Sequence, residues 1–500
     1  MTEIPAPPPP LPETPWLRLD PRMLLVHPVR EVGRFLPVLI GVVVLGAGGN
    51  RLGWPQLLAV VVPVGIGLAR YLTTRYRIHA DRVELRRGLV STHILSTSLD
   101  RVRTVDITAS PIQRVLSLAT VRIGTGTGGD DDLDLDGLPT EQARALRAQL
   151  LHSIRPPAPA TDDPDGEPAV VGGEEVVARF EPAWVRYAPF TSAGFVAMAA
   201  VVGVVFQLGD DLGFLDRFED DPAAVSLRAG SAVAVAVLGV AVLGVVVAFS
   251  VIGYLVANGN FALSHTTPDG SWHVRRGLLT TRETSLDDER LRGVAVGEPL
   301  GLRLVRGGRL SAIVTGLDRS ESGSSALLPP TPRRLVDRVA AAVVGSEEPV
   351  HATLVDHGPR ARTRRWTRAL VPAALMAVAL VVLALLTDLG GLAVLAVLPL
   401  VVGAVLGWDR ARSLGHALVG DWLVARSGSL TRRRELLATD AVIGWNLHST
   451  WFQRRAGLVT LVATTAGGSQ RVVVVDVPEE VAVRLTTEAV PGLAEQFRSS

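Results

Sequence analysis

The sequence predicts an α+β membrane protein built from three repeats, each a transmembrane helical hairpin followed by a β-rich segment and a closing helix. Three observations support this prediction. Apolar runs come in pairs, a short phrase recurs after each pair, and a proline followed by an amphipathic helix ends each copy. Hydrophobic residues make up 48% of the 500 positions and collect in Val/Leu/Ala/Gly runs, which favours membrane spans over one oversized core.

Six apolar runs form the three pairs. The first pair covers 35–49 and 52–69, the second covers roughly 188–207 and 229–257, and the third covers 369–387 and 389–408. Most of these runs are close to the ~20 residues that cross a ~30 Å hydrocarbon core. A buried soluble helix is the alternative for each run, but six such runs together favour six transmembrane helices.

Arginines flank the apolar pairs, whereas the hairpin tips contain few of them. Arg30 and Arg34 precede the first pair, and an arginine cluster from Arg360 to Arg368 precedes the third. Because basic flanks stay in the cytoplasm, we expect both termini and all polar segments to be cytoplasmic, in a multi-pass protein of a bacterial cell membrane. The proline-rich start, MTEIPAPPPPLPETP, predicts a flexible segment and no cleavable signal peptide.

Composition excludes several classes of function. The sequence has no cysteine, so neither disulfides nor thiolate metal sites can form. Fifty basic residues, all arginine, and 49 acidic residues give a net charge of +1, which predicts no bulk attraction to nucleic acid. The Arg, Ala, Val, Gly and Leu usage is typical of a GC-rich bacterial genome.

The phrase RRGLVST at 86–92 returns as RRGLLTT at 275–281 and, more loosely, as RSGSLTR at 426–432. When the three glycines are aligned, Arg114, Arg303 and Arg454 follow at one common offset. Residues around Gly88 alternate between apolar and polar, which predicts a half-exposed β-hairpin with the glycine at its turn. A short phrase that extends outward at fixed spacing indicates a true internal repeat.

The repeat sets the predicted domain boundaries. These are a flexible segment 1–33, hairpin 34–70, domain 71–154, linker 155–186, hairpin 187–257, domain 258–345, linker 346–368, hairpin 369–408 and domain 409–500. Pro139, Pro332 and Pro478 precede the predicted closing helices, since proline suits the first turn of a helix.

The first copy resembles the bacterial pleckstrin-homology (PH-like) membrane proteins. The resemblance rests on Y-x-I-x-x-D-x-V-x-L-R-R-G-L at 76–89, L-D-R-V at 99–102 and SPIQRVLSLATVRIGT at 110–125. The second copy matches more loosely, and the third keeps Gln453–Arg454 but lacks the L-D-R-V step. The three-copy arrangement is similar to the long member of that family. The resemblance implies a bent, barrel-like antiparallel sheet capped by a C-terminal helix, and no established reaction.

Recurring arginines are the candidate contacts to lipid or to a protein partner. They are Arg86, Arg87, Arg114, Arg275, Arg276, Arg303, Arg426 and Arg454. Basic side chains at a membrane surface attract anionic headgroups, and the alternative is ordinary solvated turn arginines that only set topology. Trp184, Trp366 and Trp408 lie near span ends, as residues of an aromatic belt do.

GTGTGGDDDLDLDG at 124–137 is the most conspicuous local motif. It lacks the Lys-Ser/Thr of a P-loop, and the aspartates from Asp130 to Asp136 depart from the spacing of an EF-hand. Weak calcium binding stays open, but a solvated hairpin tip is favoured. No zinc-binding or nucleophile motif is present, so we predict no catalytic, metal or cofactor-binding residue and no enzymatic activity.

We therefore predict an integral membrane protein that acts as a non-catalytic scaffold or interaction platform, with lipid and another membrane or cytoplasmic protein as its partners. Envelope stress or antimicrobial resistance is the candidate setting. The alternative is a component of a lipid or peptide transporter or exporter. Transport usually needs ionisable groups inside the membrane, and the spans contain none near their centres.

Overall fold

The computed structural model describes residues 16–26, 65, 68, 71–79, 82–87, 93–98, 104–124, 133–152, 174–191, 194, 203, 225–267, 270–314, 325–387, 391–465 and 471–491. The predicted spans 35–49 and 52–69 lie outside these residues apart from 65 and 68, and so does most of 188–207. Unit 1 comprises Met1–Gly173 and Leu279–Leu286, and unit 2 comprises Glu174–Leu278 and Asp287–Ser500.

Each copy of the repeat contributes one set of strands and helices. The first contains β1 Leu17–Arg18, β2 Arg75–Ile78, β3 Arg82–Arg87, β4 His93–Ser98, β5 Thr104–Ala109, α1 Pro111–Val115, β6 Leu118–Gly124, β7 Leu133–Pro139 and α2 Thr140–His152. The second contains β8 Glu174–Arg179, a 3₁₀ helix Pro182–Phe190, α3 Val225–Asn258, β9 Ala262–Thr266, β10 Ser271–Arg276, β11 Thr281–Asp287, β12 Leu291–Pro299, α4 Leu300–Leu304, β13 Gly307–Val314, β14 Ala326–Pro332 and α5 Arg333–Val344. The third contains α6 Glu348–His351, α7 Gly358–Leu386, α8 Gly391–Leu395, α9 Val397–Ser413, β15 Gly415–Val419, β16 Trp422–Ser427, β17 Thr431–Ala438, β18 Val442–His448, α10 Trp451–Ala456, β19 Leu458–Thr465, β20 Arg471–Pro478 and α11 Glu479–Ala489.

The predicted turns and helix starts are confirmed where the structure describes them. Gly277 and Gly428 join the hairpin strands with φ values of +106° and +100°, a backbone conformation that favours glycine because it has no Cβ. The closing helices α2, α5 and α11 each begin at the residue after a proline. Gly88 lies outside the described residues.

Strands in unit 1 form two antiparallel arrangements. One follows the order β1-β2-β3-β4, and in the other β11 of the second copy extends β7-β6-β5 of the first. Val83, Leu85, Val121 and Leu135 form the core of this unit, together with Ala143 from α2. The closing helix therefore covers the apolar face of the sheet, as the sequence predicts.

In unit 2 the six-stranded sheet has the order β14-β13-β12-β17-β16-β15, and a separate sheet has the order β18-β19-β20. Strand β12 of the second copy pairs with β17 of the third. The copies thus share sheets, whereas the sequence predicts three separate domains. Pairing between copies supplies partners for the backbone groups of edge strands, which a separate domain would leave unpaired.

Three described helical segments are long and apolar enough to cross a membrane, namely Gly239–Asn258, Gly358–Leu386 and Ala393–Ser413. They match the second run of the second predicted pair and both runs of the third. The predicted linker 346–368 contains α6 and the first turns of α7. Arginine is a good helix former, and Pro359 lies in the first turn of α7, where proline is favoured.

Trp184 is a core residue, so its predicted place in an aromatic belt is wrong. Its side chain is 1% exposed and packs between Phe180 and Phe261, with ring centroids 6.0 Å and 5.8 Å away. It belongs to the 3₁₀ helix, which also includes the first residues of the predicted span 188–207. Trp408, by contrast, is exposed, with the Arg412 guanidinium 4.4 Å from its ring centroid.

Small residues let α7 and α9 approach each other closely. A Cβ added at Gly403 would lie 2.6 Å from the Cβ of Ala373, and one at Gly407 would lie 2.8 Å from a ring carbon of Trp366. Gly403 and Gly407 are four residues apart, the small-xxx-small spacing that packs helices inside membranes.

We expect Gly403→Leu to destabilise the full-length chain by roughly 1–3 kcal/mol, because the added side chain overpacks the α7–α9 contact. Thermal unfolding in detergent measures the effect. Val405→Leu on the exposed side of α9 is the matched control and should melt like the parent. Equal melting temperatures for both variants would contradict the packing described above.

Candidate functional site

Arg303, one of the predicted contact arginines, is bound within the chain. Its Nη1 and Nη2 atoms donate to the two carboxylate oxygens of Asp409 at 2.8 Å and 2.9 Å, and Nη2 also lies 3.1 Å from the carbonyl oxygen of Ser429. Arg432 donates to the same carboxylate at 2.8 Å. The bidentate pairing of Arg303 with Asp409, which is typical of Arg with carboxylates, joins α4 to the end of α9. The bond to Ser429 joins α4 to the next hairpin turn.

Arg426 also acts inside the chain. Its Nε and Nη2 atoms donate to the carbonyl oxygens of Ser413 and Arg412 at 3.1 Å and 3.2 Å. These carbonyls end α9, where cationic side chains satisfy the last acceptors of a helix. Burial, followed by the nearby charge of Arg432, lowers the pKa of Arg426 from its usual value.

The remaining predicted arginines lie closer to solvent. Arg86, Arg114, Arg275 and Arg454 are exposed, whereas Arg276 is half-buried. Arg114 donates to the carbonyl of Leu279 and Arg454 to that of Ser449, both at 3.3 Å. The side chain of Arg87 lies outside the described part of the structure.

The described aspartates of the 124–137 motif have partners in the chain. Asp134 accepts from Arg122 at 2.7 Å and 3.1 Å, and Asp136 accepts from the hydroxyl of Thr120. Asp130 to Asp132 lie outside the described residues. Among the residues that the structure describes, no group of three His, Asp or Glu side chains could hold a metal ion.

The first and third copies each contain the same polar network, and none of its residues is among the predicted site residues. Gln113 donates to Thr120 at 3.0 Å, and Gln453 donates to Thr460 and to Asp476, both at 2.8 Å. Both glutamines also close a capping box, with the N-cap residues Ser110 of α1 and Thr450 of α10. The signal available in the sequence is the S/T-x-x-Q pattern of the capping box, present as SPIQ and TWFQ.

Asp476 is the centre of this network in the third copy. Its side chain is fully buried, and Arg364 and Arg365 from α7 place guanidinium nitrogens 2.7 Å from its two oxygens. Its backbone has a φ of +56°, a left-handed conformation that Asp tolerates better than most residues. Arg364 also donates to the hydroxyl of Thr450 at 3.0 Å, so one carboxylate joins α7 to α10 and β20.

Two buried histidines lie beside this centre. His357 shares a hydrogen bond of 2.9 Å with the carbonyl of Val475 through Nδ1, and its Nε2 lies 3.0 Å from Nδ1 of His416. Burial and then the neighbouring His357 lower the pKa of His416 to about 4. Burial also lowers the pKa of His357, although Asp356, Asp476 and the Val475 carbonyl oppose the shift.

An open groove lies between the arginine-rich start of α7 and α10. Its volume is about 380 Å³, and it is lined by Pro359, Arg360, Thr363, Arg364, Thr367, Phe452 and Ala456. Phe452 is 70% exposed, and the neighbouring Trp451 is exposed as well. The groove thus combines guanidinium and hydroxyl donors with exposed aromatic rings.

We expect Asp476→Ala to destabilise the full-length chain by about 3–5 kcal/mol, because it leaves two buried guanidiniums without their anion. Asp476→Asn, which keeps a side chain suited to positive φ, should fall between the parent and Asp476→Ala. Unfolding in detergent measures all three, and Asp421→Ala in an exposed turn is the control. A stability of Asp476→Ala equal to that of Asp421→Ala would refute the proposed importance of the ion pairs.

Acidification should destabilise the third copy through the two histidines. Their folded-state pKa values lie below the ordinary value of about 6.5, so the unfolded chain binds more protons as the pH falls from 6.5 towards 4. His416 alone would contribute a loss of roughly 3 kcal/mol by pH 4. Unfolding midpoints between pH 7.5 and 4.5 should show a shallower slope for His416→Gln, and the parent slope for the exposed control His351→Gln. A parent-like slope in His416→Gln would be inconsistent with this assignment.

Known proteins resemble this chain in both its domains and its membrane association. A family model described as the bacterial PH domain matches residues 29–154 and 369–489. The transmembrane protein YdbT of Bacillus subtilis is 22% identical over 247 residues, which cover 47% of this chain and 48% of YdbT. The chain therefore spans about half the length of this curated relative. No solved structure matches the chain significantly.

The two matched regions contain the first and third copies, which are the copies that keep the Gln–Thr–Asp network. The second copy has Leu302 at the position of the glutamine. Matched domains, a transmembrane relative and long apolar helices agree with one another. The chain is therefore a membrane protein with bacterial PH domains.

Proposed function

We propose that the chain is a non-catalytic scaffold or interaction platform at the inner face of the bacterial cell membrane, with six transmembrane helices and both termini in the cytoplasm. The observation that carries the proposal is that α7 is one continuous helix, which contains both the arginine-rich turns and the apolar span. Asp476 of the third copy binds arginines of this helix. A domain held in this way stays at the membrane surface.

The charge distribution along α7 supports the proposed orientation. Its first turns contain Arg360, Arg362, Arg364, Arg365 and Arg368, and the residues after Arg368 are almost entirely apolar. Arginine next to an apolar span favours the cytoplasmic side. This arrangement would place the third copy in the cytoplasm, against headgroups of the inner leaflet.

A surface suited to anionic lipid follows from the same geometry. We define the basal surface as Arg360, Thr363, Thr367 and Arg368 on α7 with Phe452 on α10. In the described part of the chain, neither Arg360 nor Arg368 has an ion-pair partner. Guanidinium and hydroxyl groups are donors for phosphate oxygens, and aromatic rings favour the membrane–water interface. Arg86, Arg114, Arg275 and Arg454 remain candidates for further lipid or protein contacts.

The proposal includes no reaction, and its candidate setting is envelope stress or antimicrobial resistance. Cells that lack the chain would then be more sensitive to agents that damage the envelope. The transporter alternative requires a pathway through the membrane helices, and no described feature specifically favours one.

We expect the double change Arg360→Ala with Arg368→Ala to reduce co-purification of anionic phospholipid. Each basic residue near the surface contributes about 1 kcal/mol, which corresponds to about fivefold in binding. Lipid retained by the full-length protein in detergent is measured by mass spectrometry, relative to zwitterionic lipid. Arg484→Ala, an exposed arginine on the closing helix α11, is the matched control and should retain the parent ratio. An unchanged ratio in the double variant would exclude the basal surface as the lipid site.

A further inference from the structure

Neighbouring copies pair the same two strand edges in the same register. In the first junction Ala109 of β5 lies opposite Thr281 of β11, and Ile107 lies opposite Glu283. In the second junction Glu298 of β12 lies opposite Arg432 of β17, and Val296 lies opposite Arg434. The paired positions are equivalent in the repeat. Ala109 and Glu298 each lie five residues before the shared arginine, and Thr281 and Arg432 each lie four residues after the turn glycine. The junction is therefore a reproducible interface.

In the third copy, the strand that would form the first side of this interface has no partner among the described strands. Strand β18 is the equivalent of β5 and β12, and it is an edge of the sheet β18-β19-β20 in the described structure. Leu447 is 42% exposed, whereas its equivalents Ile107 and Val296 are 5% and 0% exposed. The apolar position that is buried in both junctions is thus exposed in the third copy.

The first copy contains the strand that would form the second side of this interface. Strand β4 is the equivalent of β11 and β17, and among the described strands it is an edge of the sheet β1-β2-β3-β4. Its hairpin pairs Arg86 with Ile94, as the third copy pairs Arg426 with Arg434, which fixes the equivalence of Ile94 and Arg434. Ile94 is 57% exposed.

We propose that β18 of one chain pairs antiparallel with β4 of a second copy of the same chain, in the register of the two internal junctions. This register places Leu447 opposite Ile94, so the exposed apolar residues of the two free edges meet. Directly opposite side chains lie on the same face of a sheet and stabilise it. An exposed edge is a ready template for such strand addition.

Two details of the third copy agree with this pairing. Its β-bulge between Val442 and Gly444 has an equivalent in β12 between Leu291 and Gly293, and β12 pairs on its other side despite it. Arg454 is also exposed at the position from which Arg303 reaches the carbonyl of Ser429 in the next hairpin turn. The third copy therefore retains the backbone edge and the arginine of the junction.

The two edges differ, so the interface is head-to-tail and leads to rings or open chains of molecules, not to a symmetric dimer. Self-association of this kind goes beyond the platform role and does not depend on lipid at the basal surface. Leu447→Arg should abolish self-association and leave the retained anionic lipid unchanged, which separates the two proposals.

Disulfide crosslinking tests the register, because the chain has no native cysteine. Full-length chains with Leu447→Cys and differently tagged chains with Ile94→Cys are co-expressed, oxidised in membranes and separated without reductant. Opposite residues of antiparallel strands have Cα atoms about 4.5–5.5 Å apart, within the reach of a disulfide. We expect a mixed dimer, and a ladder of larger species when one chain carries both changes.

Ser96→Cys paired with Leu447→Cys is the register control. Ser96 is two residues beyond Ile94, so the Cα atoms would be about 7–8 Å apart, at or beyond the limit for a disulfide, and we expect at least about fivefold less mixed dimer. Light scattering in detergent should find the parent larger than the Leu447→Arg variant. The proposal is overturned by absence of the mixed dimer, by equal crosslinking at Ser96, or by a dominant homodimer of Leu447→Cys chains.

Discussion

The buried carboxylate of Asp476 is the interaction on which the third copy depends. An anion with no exposure is costly unless cations and hydrogen-bond donors surround it, and here Arg364, Arg365 and Gln453 supply them. Because the two arginines belong to the first turns of α7, the cost of burying the charge is offset only when that helix is in place. The fold of the domain and the position of the membrane helix are thus coupled.

Further polar contacts join α7 and α9 to the sheets. His357 precedes α7 and contacts His416, which follows α9 on β15, while Asp409 at the end of α9 accepts Arg303 and Arg432. Polar groups at the start of α7 and at the end of α9 are therefore bound by strands or loops of the sheets. The apolar length of the hairpin itself needs only small residues, since Gly403 and Gly407 allow close packing.

The repeat, its turns and its closing helices could be predicted from the sequence because they depend on local signals. Glycine at a tight turn, proline before a helix and alternating strands act over a few residues. The sharing of strands between copies could not be predicted, since β5 and β12 alternate in the same way whichever strand pairs with them. The roles of Arg303 and Arg364 depend on Asp409 and Asp476, which are distant in the sequence. Arginine clusters beside apolar runs indicate topology, but they do not reveal which guanidiniums are buried.

The loss of the Gln–Thr–Asp network from the second copy has an evolutionary consequence. That copy pairs β11 with the first copy and β12 with the third, so part of its stability comes from its neighbours. A module supported on two sides can accumulate substitutions that would unfold a terminal module. Internal copies would therefore diverge fastest, and ancestry is best traced through the terminal ones. Because both junctions use one register, duplication of a whole module would lengthen the array without any new contact having to evolve.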